Sequence, residues 1–490
     1  MTYDIAIVGS GPNGLTAAAY LARAGARVIM FEKRFERGGT LATDDYSTPF
    51  QYNLAQFELP FADELPPYRD LDLHSQGVRF VSPEIPFAAT TVAGEEGLAV
   101  GRAGRGLGPE IELMLAEASA AVTPLLYRPP PDELPNLALA DATPRALAER
   151  AGDPRAAVVL RYACGLAGIL EPDVQLGPIG AFCVARLFSP AIVVGGSKNL
   201  ANGLARVAAA AGARALVSSE VTHVEAAGDG FRVRTADGRE TQARIVISTL
   251  DPRSTFLGLL DSELAPAELR EAASAWIVDG TGPFTAHFGI KGDPPAPAPG
   301  ALIRIFGFSS ASDVDDHFAT VLRGELPATV AGHLTAVSAH DPLQASPGPF
   351  GPLHTLRMQT HVPFETPEPG WDRMRIAQRA RCWDALVANF PGLADATLLF
   401  QFCDTPLDIE RRFATTRRGS VRQGSLVAGQ TLVGRPHPSC STGRSPIPGL
   451  YLAGGSVHPG VPGSLAGGYN VAALVAEDLG LERWWAEYAG

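Results

Sequence analysis

Residues 3–32 constrain the fold more than any other stretch of the chain. Tyr3–Val8 is a short apolar run of strand character, Gly9-Ser10-Gly11-Pro12-Asn13-Gly14 is a tight turn, and Leu15–Ala24 reads as a helix. A second apolar run, Arg27–Phe31, ends at Glu32, eighteen residues beyond Gly14. This order suits a dinucleotide: Gly9 permits the sharp exit from the strand, Gly11 lacks a Cβ that would obstruct phosphates, and Gly14 lets helix and strand pack closely. The helix N-terminus then offers free N–H groups and a positive dipole end to an anion, while the acid suits ribose hydroxyls. With 52 glycines in 490 residues, glycine spacings of this kind also arise by chance, so flanking structure has to discriminate. Gly101–Gly108 (GRAGRGLG) is equally glycine-rich but shows no clear strand before it and no immediate helix after it, and reads as a loop.

Beyond Glu32 come Lys33-Arg34 and then Gly38-Gly39-Thr40-Leu41, a second phosphate-approaching turn that an ordinary nicotinamide domain does not require. The run IAIVGSGPNGLTAAAYLARAGARVIMFEKRFERGGTLAT resembles the amino terminus of the FAD-dependent amine oxidase and phytoene desaturase superfamily. Within it the chain is most similar to the carotenoid-desaturase-like oxidoreductases and to the pyridine nucleotide-disulfide oxidoreductase domain-containing proteins. The resemblance implies that Gly9, Gly11 and Gly14, with Pro12 and Asn13, hold the FAD pyrophosphate. It implies also that Glu32 and neighbouring Lys33 meet the adenosine ribose, and that Gly38, Gly39, Thr40 and Leu41 lead to the isoalloxazine.

Two later stretches carry the same likeness. In the passage from Gly195 to Thr249, Leu200–Ala211 reads as an Ala-rich helix. Val221–Ala226, Phe231–Thr235 and Arg239–Ala243 follow as a meander turning at Gly228-Asp229-Gly230 and Asp237-Gly238, before a buried strand Ile245–Ser248. By resemblance the backbone at Val221 contacts adenine. Near the other end, Gly449–Ala453 reads as a strand, Gly454-Gly455-Ser456 as its exit and Ser464–Leu479 as a helix. The resemblance brings Gly454, Gly455, Gly463, Ser464 and Leu465 to the flavin, with the helix N-terminus toward the pyrimidine edge, where it stabilises the negative charge of the reduced ring. The acid that the family carries after this strand is absent here, whereas His458-Pro459-Gly460 is retained, which favours the desaturase-like branch over the monoamine oxidase branch.

Two residues are catalytic candidates. His458 can serve as a base, position substrate, or simply bond the backbone of its glycine-rich turn. Gln56 lies in Ser47–Leu59, a strand leading into a loop that resembles the family stretch beneath the flavin. There the family carries a small residue and a His where this chain has Ala55-Gln56. Gln56 is thus either a hydrogen-bonding partner of flavin or substrate, or a solvated loop residue.

Composition excludes several alternatives. An excess of 52 acidic over 40 basic residues, net charge −12, gives a nucleic-acid partner no electrostatic support. The cysteines at 164, 183, 382, 403 and 440 have neither CxxC nor zinc spacing and read as buried thiols of a reducing compartment. His340, His354 and His361 lack paired acids or regular ligand spacing, so no metal is expected. The apolar run Ala156–Leu170 is broken by Arg161 and too short to span a bilayer, and the apolar face of Gly177–Phe188 reads as core rather than as a lipid-docking face. Met1 stands directly before the first strand, leaving no room for a signal peptide. A cytoplasmic protein is expected, with peripheral membrane contact and homo-oligomerisation left open.

The expected fold is α/β. A Rossmann-like FAD-binding domain is assembled from residues 1–59, 191–254 and 426–490, with a helical substrate-covering insertion at 60–190 and a mixed-sheet substrate domain at 255–425. In that last region Phe284–Ile290, Ala301–Phe308 and His354–Val362 read as strands, and Gly292–Gly300 as an exposed proline-rich connector. The resemblance implies an FAD-dependent oxidoreductase that takes hydride from a C–H bond of an apolar small molecule, most similar to a carotenoid-type desaturase, and passes electrons to an acceptor such as oxygen or a quinone. C–N oxidation, redox-neutral isomerisation or cyclisation, and a non-catalytic flavin-binding scaffold are the alternatives.

Overall fold

The computed structural model describes residues 2–45, 48–60, 64–91, 97–131, 134–293, 300–345, 351–366 and 368–486. Ser47, most of the proline-rich connector and residues 346–350 thus lie outside the described residues.

Two seven-stranded sheets organise the chain. In the first, Thr2–Val8 is central, flanked in parallel by Val28–Phe31 on one side and by the far half of Glu240–Ser248 on the other. Arg214–Leu216 extends one edge, and the antiparallel strands Val221–Ala227 and Gly230–Thr235 the other. Leu450–Leu452 pairs in parallel with Val246–Ser248, so a late segment closes beside the opening strand. The expected separate strand at 245–248 is therefore the buried end of one long strand, whose first half carries the meander and whose second half lies within the parallel sheet.

Three helices cover this sheet's inner face. Pro12–Arg23 begins three residues earlier than its apolar periodicity suggests, because Pro12 is preset for the first helical position. It packs against Lys198–Ala210 and Ala466–Leu479. The last contact requires glycine: a Cβ at Gly468 would lie 2.3 Å from the Asn13 carbonyl oxygen, and one at Gly467 2.7 Å from that of Ala453. Two helix starts are thereby locked together.

The second sheet runs Thr397–Asp404, Thr281–Lys291, Leu353–Pro363, Gly332–Ala336, Ala301–Phe306, Ile85–Ala89, Leu98–Val100, antiparallel except for the pair 301–306 with 85–89. Residues 60–190 are consequently not only helical, since they supply two strands to this sheet. The glycine-rich stretch 101–108 also differs from its expectation. It follows strand Leu98–Val100 and precedes helix Pro109–Val122, but that strand sits at the edge of the second sheet, and the turn lines neither of the two cavities described below. Helix Gly177–Leu187 is buried over most of its length, as a core helix must be. His354 and His361 are an odd number of residues apart on one strand and so project to opposite faces. Among the described residues no cluster of three or more His, Cys, Asp or Glu could hold a metal, and no helix is long and apolar enough to cross a membrane.

Several imidazoles are enclosed without compensating charge. Burial pushes His317 and His458 down to about 4 and His333 and His361 down to about 3. Each is neutral in the folded chain at pH 5–6, where an unfolded histidine, titrating near 6.5, takes up a proton. Stability is therefore expected to be flat above about pH 7.5 and to fall as pH drops from 6.5 toward 4, each histidine contributing up to about 1.4 kcal/mol per pH unit. Urea denaturation between pH 8 and pH 4.5 checks this, and a midpoint that does not move would contradict it.

Candidate active site

A cavity of about 740 Å³ opens where the two glycine turns meet the end of the first sheet. Gly9 has φ +95°, which carries the chain from strand to turn, and its N–H bonds to the Phe31 carbonyl at 2.8 Å. A Cβ at Gly14 would stand 2.3 Å from the Gly9 carbonyl oxygen, so the helix lies directly on the strand exit. The Gly38 N–H donates to the Ser10 carbonyl at 2.9 Å, folding the second turn back over the first.

Two helices begin at this cavity without a side-chain cap and without an acid in the first turn: Pro12–Arg23 after Gly11, and Ala466–Leu479 after Leu465. The start of Pro12–Arg23 is thus open to an anion, whereas at Ala466–Leu479 the Ala466 N–H donates to the Ser464 hydroxyl and the Gly468 N–H to Asn13 Oδ1, each at 3.3 Å. Glu32, only 9% exposed, is held in the wall by the Ser10 N–H and hydroxyl on Oε2 and the Arg34 N–H on Oε1, each at 3.0 Å. Its carboxylate keeps lone pairs for further donors.

Most of the sequence-predicted cofactor residues converge here. Gly9, Gly11, Pro12, Asn13, Glu32 and Lys33 line the cavity, as do Gly39, Thr40, Gln56 and Val221. Gly454, Gly455, Gly463 and Leu465 complete the set from the other end of the chain. Five do not line it. Gly14 lies behind the turn. Gly38 faces Ala201, where a Cβ would meet that side chain at 2.7 Å, and Leu41 is buried in the core. Ser464 turns its hydroxyl back onto the Val461 carbonyl at 2.8 Å. His458 is shut away: its Nε2 donates to the Leu125 carbonyl at 2.9 Å and its ring faces neither cavity.

Sequence reasoning missed the wall formed by 411–417 and 421–423 and by turns at 249–250 and 253–259. One signal was available, five arginines within residues 411–422. Several are neutralised locally: Arg411 by Asp372 at 2.6 Å, Arg412 by Asp404 at 3.3 Å, and Arg417 by the buried Asp251 at 3.1 Å.

A second cavity of about 230 Å³ adjoins the first, and Gln56, Val421, Arg422, Val461 and Pro462 belong to both walls. It reaches between the second sheet and helix Gly177–Leu187. Leu54, Leu59, Leu166, Leu187, Ile303 and Ile409 give it an apolar lining. It is nevertheless no apolar tunnel, because Arg186, Arg357, Arg422, Glu58, Gln359, His333 and His361 also face it.

Residues 7–61 match the family described as NAD(P)-binding Rossmann-like domain, and residues 144–336 that of flavin containing amine oxidoreductase. The chain is an FAD-dependent oxidoreductase. The residues of the larger cavity fit the cofactor by their own geometry: the open start of helix Pro12–Arg23, a glycine cradle that a Cβ would fill, and a buried acid with spare acceptor capacity. This flavoenzyme is 29% identical to a subunit of limonene dehydrogenase from Castellaniella defragrans, over 99% of its own length and 96% of that protein's. It is 26% identical to the pyridine nucleotide-disulfide oxidoreductase domain-containing protein 2 of Mus musculus, over 97% and 94%. The structure of cyclohexylamine oxidase from Brevibacterium oxydans superposes with a TM-score of 0.63 at 17% identity, covering 98% of this flavoenzyme and 99% of that chain, which is a likeness of fold.

Proposed function

We propose that this flavoenzyme is a dehydrogenase of desaturase type, which removes two hydrogens from neighbouring carbons of a compact, mostly apolar molecule seated in the smaller cavity. The observation that carries this reading is the charge of that cavity. Three arginines face one carboxylate, Glu58, and both lining histidines are held neutral by burial. An ammonium substrate would meet net positive charge there, so C–H rather than C–N oxidation is favoured. The volume, about 230 Å³, is below the usual ligand range of about 300–1,000 Å³ and suits a monocyclic skeleton rather than a carotenoid. The limonene dehydrogenase relative supports the same class. That relative is named as one subunit, which supports an assembly with a second chain.

Bound FAD supplies a two-electron acceptor for hydride. Gly9, Gly11 and Asn13 with the first helix start hold its pyrophosphate, Glu32 its ribose and the Val221 backbone its adenine. Gly39, Thr40, Gln56, Gly454, Gly455, Gly463 and Leu465 surround the flavin. Gln56, Val421 and Val461, common to both walls, orient the substrate toward the cofactor and exclude water from the reacting carbons. The second hydrogen leaves as a proton, and Glu58 is the carboxylate in the wall of the smaller cavity that accepts it.

Anaerobic addition of small cyclic C–H substrates, monocyclic alkenes and their carboxylic acids tested side by side, to the purified yellow protein is expected to bleach the visible flavin band and to yield a product two hydrogens lighter. Matched cyclic primary amines should leave the band intact. Bleaching by the amines alone would overturn the assignment, turnover without accumulated reduced flavin would identify an isomerase, and no response to either class would identify a scaffold.

A further inference from the structure

We propose that the smaller cavity recognises a carboxylate, so that the substrate is a small cyclic or branched acid and not a plain hydrocarbon. This rests on the dehydrogenase reading for what happens to the molecule, but the recognition stands on separate observations. Arg357 is 3% exposed, on the interior strand Leu353–Pro363 of the second sheet. Its Nη1 donates to Gln359 Oε1 at 2.8 Å and lies 3.7 Å from Glu58, and its Nη2 donates to the Ala55 carbonyl at 3.3 Å, while its Nε is buried with no partner. Arg422, on the loop common to both cavities, repeats the pattern. Its Nη2 is held by the Leu166 carbonyl at 2.7 Å, and its Nε is likewise buried and unpartnered. Gln56 also presents a buried Nε2 without an acceptor, its Oε1 being taken by the Thr40 hydroxyl at 3.3 Å.

Buried polar groups are almost always hydrogen-bonded, and leaving a charged donor unmet is costly. Here three unmet groups line one cavity, and all are donors. A neutral alkene satisfies none of them. A carboxylate supplies about four lone-pair directions and one negative charge. Arg186 adds a third positive charge to the same wall, and Glu58 offsets only one of the three. Gln359 in the same wall is already used on both sides, by Arg357 and by Thr285 at 2.7 Å. Orientation follows from this arrangement: with the acid group anchored at Arg357 and Arg422, the hydrocarbon part of the molecule lies among the aliphatic side chains beside the flavin cavity.

The test uses the oxidised holoenzyme and isosteric probes, with affinities from flavin difference spectra and calorimetry. Cyclohexanecarboxylate is expected to bind about tenfold or more tighter than cyclohexanecarboxamide, and cyclohexylmethylamine not to compete. Arg357→Gln and Arg422→Gln should each remove about tenfold of the carboxylate's affinity while leaving the amide's within about threefold, and Arg357→Lys should fall between. Equal binding of acid and amide by the unaltered protein would overturn the proposal whether or not the variants retain flavin. So would preservation of the acid preference in both Gln variants, and a cyclohexylphosphonate bound more tightly than the carboxylate would reassign the head group. Arginine-dependent acid binding without flavin bleaching by any probe would instead leave the subsite standing and remove the dehydrogenase reading. Bleaching by neutral alkenes with no acid preference would do the reverse.

Discussion

Gly14→Ala protein is expected to purify colourless, with FAD affinity lowered by up to about a hundredfold. The added methyl would stand 2.3 Å from the Gly9 carbonyl oxygen and 3.3 Å from its carbon, and neither side can retreat. Gly9 is fixed to the sheet through its N–H bond to Phe31. The helix is fixed from behind, where Gly468 already packs against Asn13 as closely as glycine allows. Relief must come from moving the helix start away from the turn proposed to hold the pyrophosphate, and overpacking of this kind costs about 1–3 kcal/mol, the upper end being about a hundredfold in a binding constant. Gly152→Ala is the matched control, since a Cβ there meets nothing within 4 Å. Equilibrium dialysis against FAD measures the difference, and a Gly14→Ala protein with unaltered affinity would show that the glycine turn does not hold the cofactor.

Arg435→Met should be the most destabilising single change in the chain. The Arg435 guanidinium is fully buried and has no carboxylate in ion-pair contact among the described residues; it is instead held by carbonyl oxygens. Nε and Nη2 donate to Gly455 at 3.0 and 2.8 Å, Nη2 also to Arg422 at 2.9 Å, and Nη1 to Gln430 at 3.0 Å and Ser425 at 3.3 Å. Burial lowers its pKa to about 10, so it remains charged at neutral pH. One side chain therefore joins the loop bearing Arg422 and Gln423 to the strand exit bearing Gly454 and Gly455, and both line the flavin cavity. Methionine fills the volume but strands those carbonyls, each at about 1–3 kcal/mol, for a loss of about 4 kcal/mol or more. Urea unfolding followed by tryptophan fluorescence and flavin release, at fixed FAD concentration, should show both midpoints falling together. Arg435→Lys should recover less than half, because an ammonium cannot span the fork. A Met variant as stable as the parent would mean that water replaces the guanidinium.

What the sequence made legible was local. The opening strand, the turn and Glu32 form one continuous unit, and the meander carries its own turn signals at Gly228-Asp229-Gly230 and Asp237-Gly238, so the opening strand and the first two meander strands emerge with nearly the expected bounds, while the third runs on to Ser248. Long-range closure was less visible. Arg186, Arg357 and Arg422 come from a helix, a strand and a loop with no spacing to relate them, and only packing brings them to one cavity. Strands 85–89 and 98–100 were hidden because a five-residue and a three-residue strand carry little periodicity, and the strand that joins this pair to the sheet, 301–306, lies some two hundred residues from 85–89. His458 misled for a related reason. A histidine beside a glycine turn says nothing about which way the ring points, and here Leu125, 333 residues distant, captures it.

The larger cavity draws its walls from residues 8–56, 220–259, 411–423 and 454–465. Translation delivers the first of these roughly four hundred residues before the last, so the nascent amino-terminal unit can fold its strand and helix yet cannot retain a flavin. Prosthetic-group loading must then be a late, whole-chain event. Cellular yield of yellow protein should accordingly respond to riboflavin supply after release from the ribosome rather than during elongation.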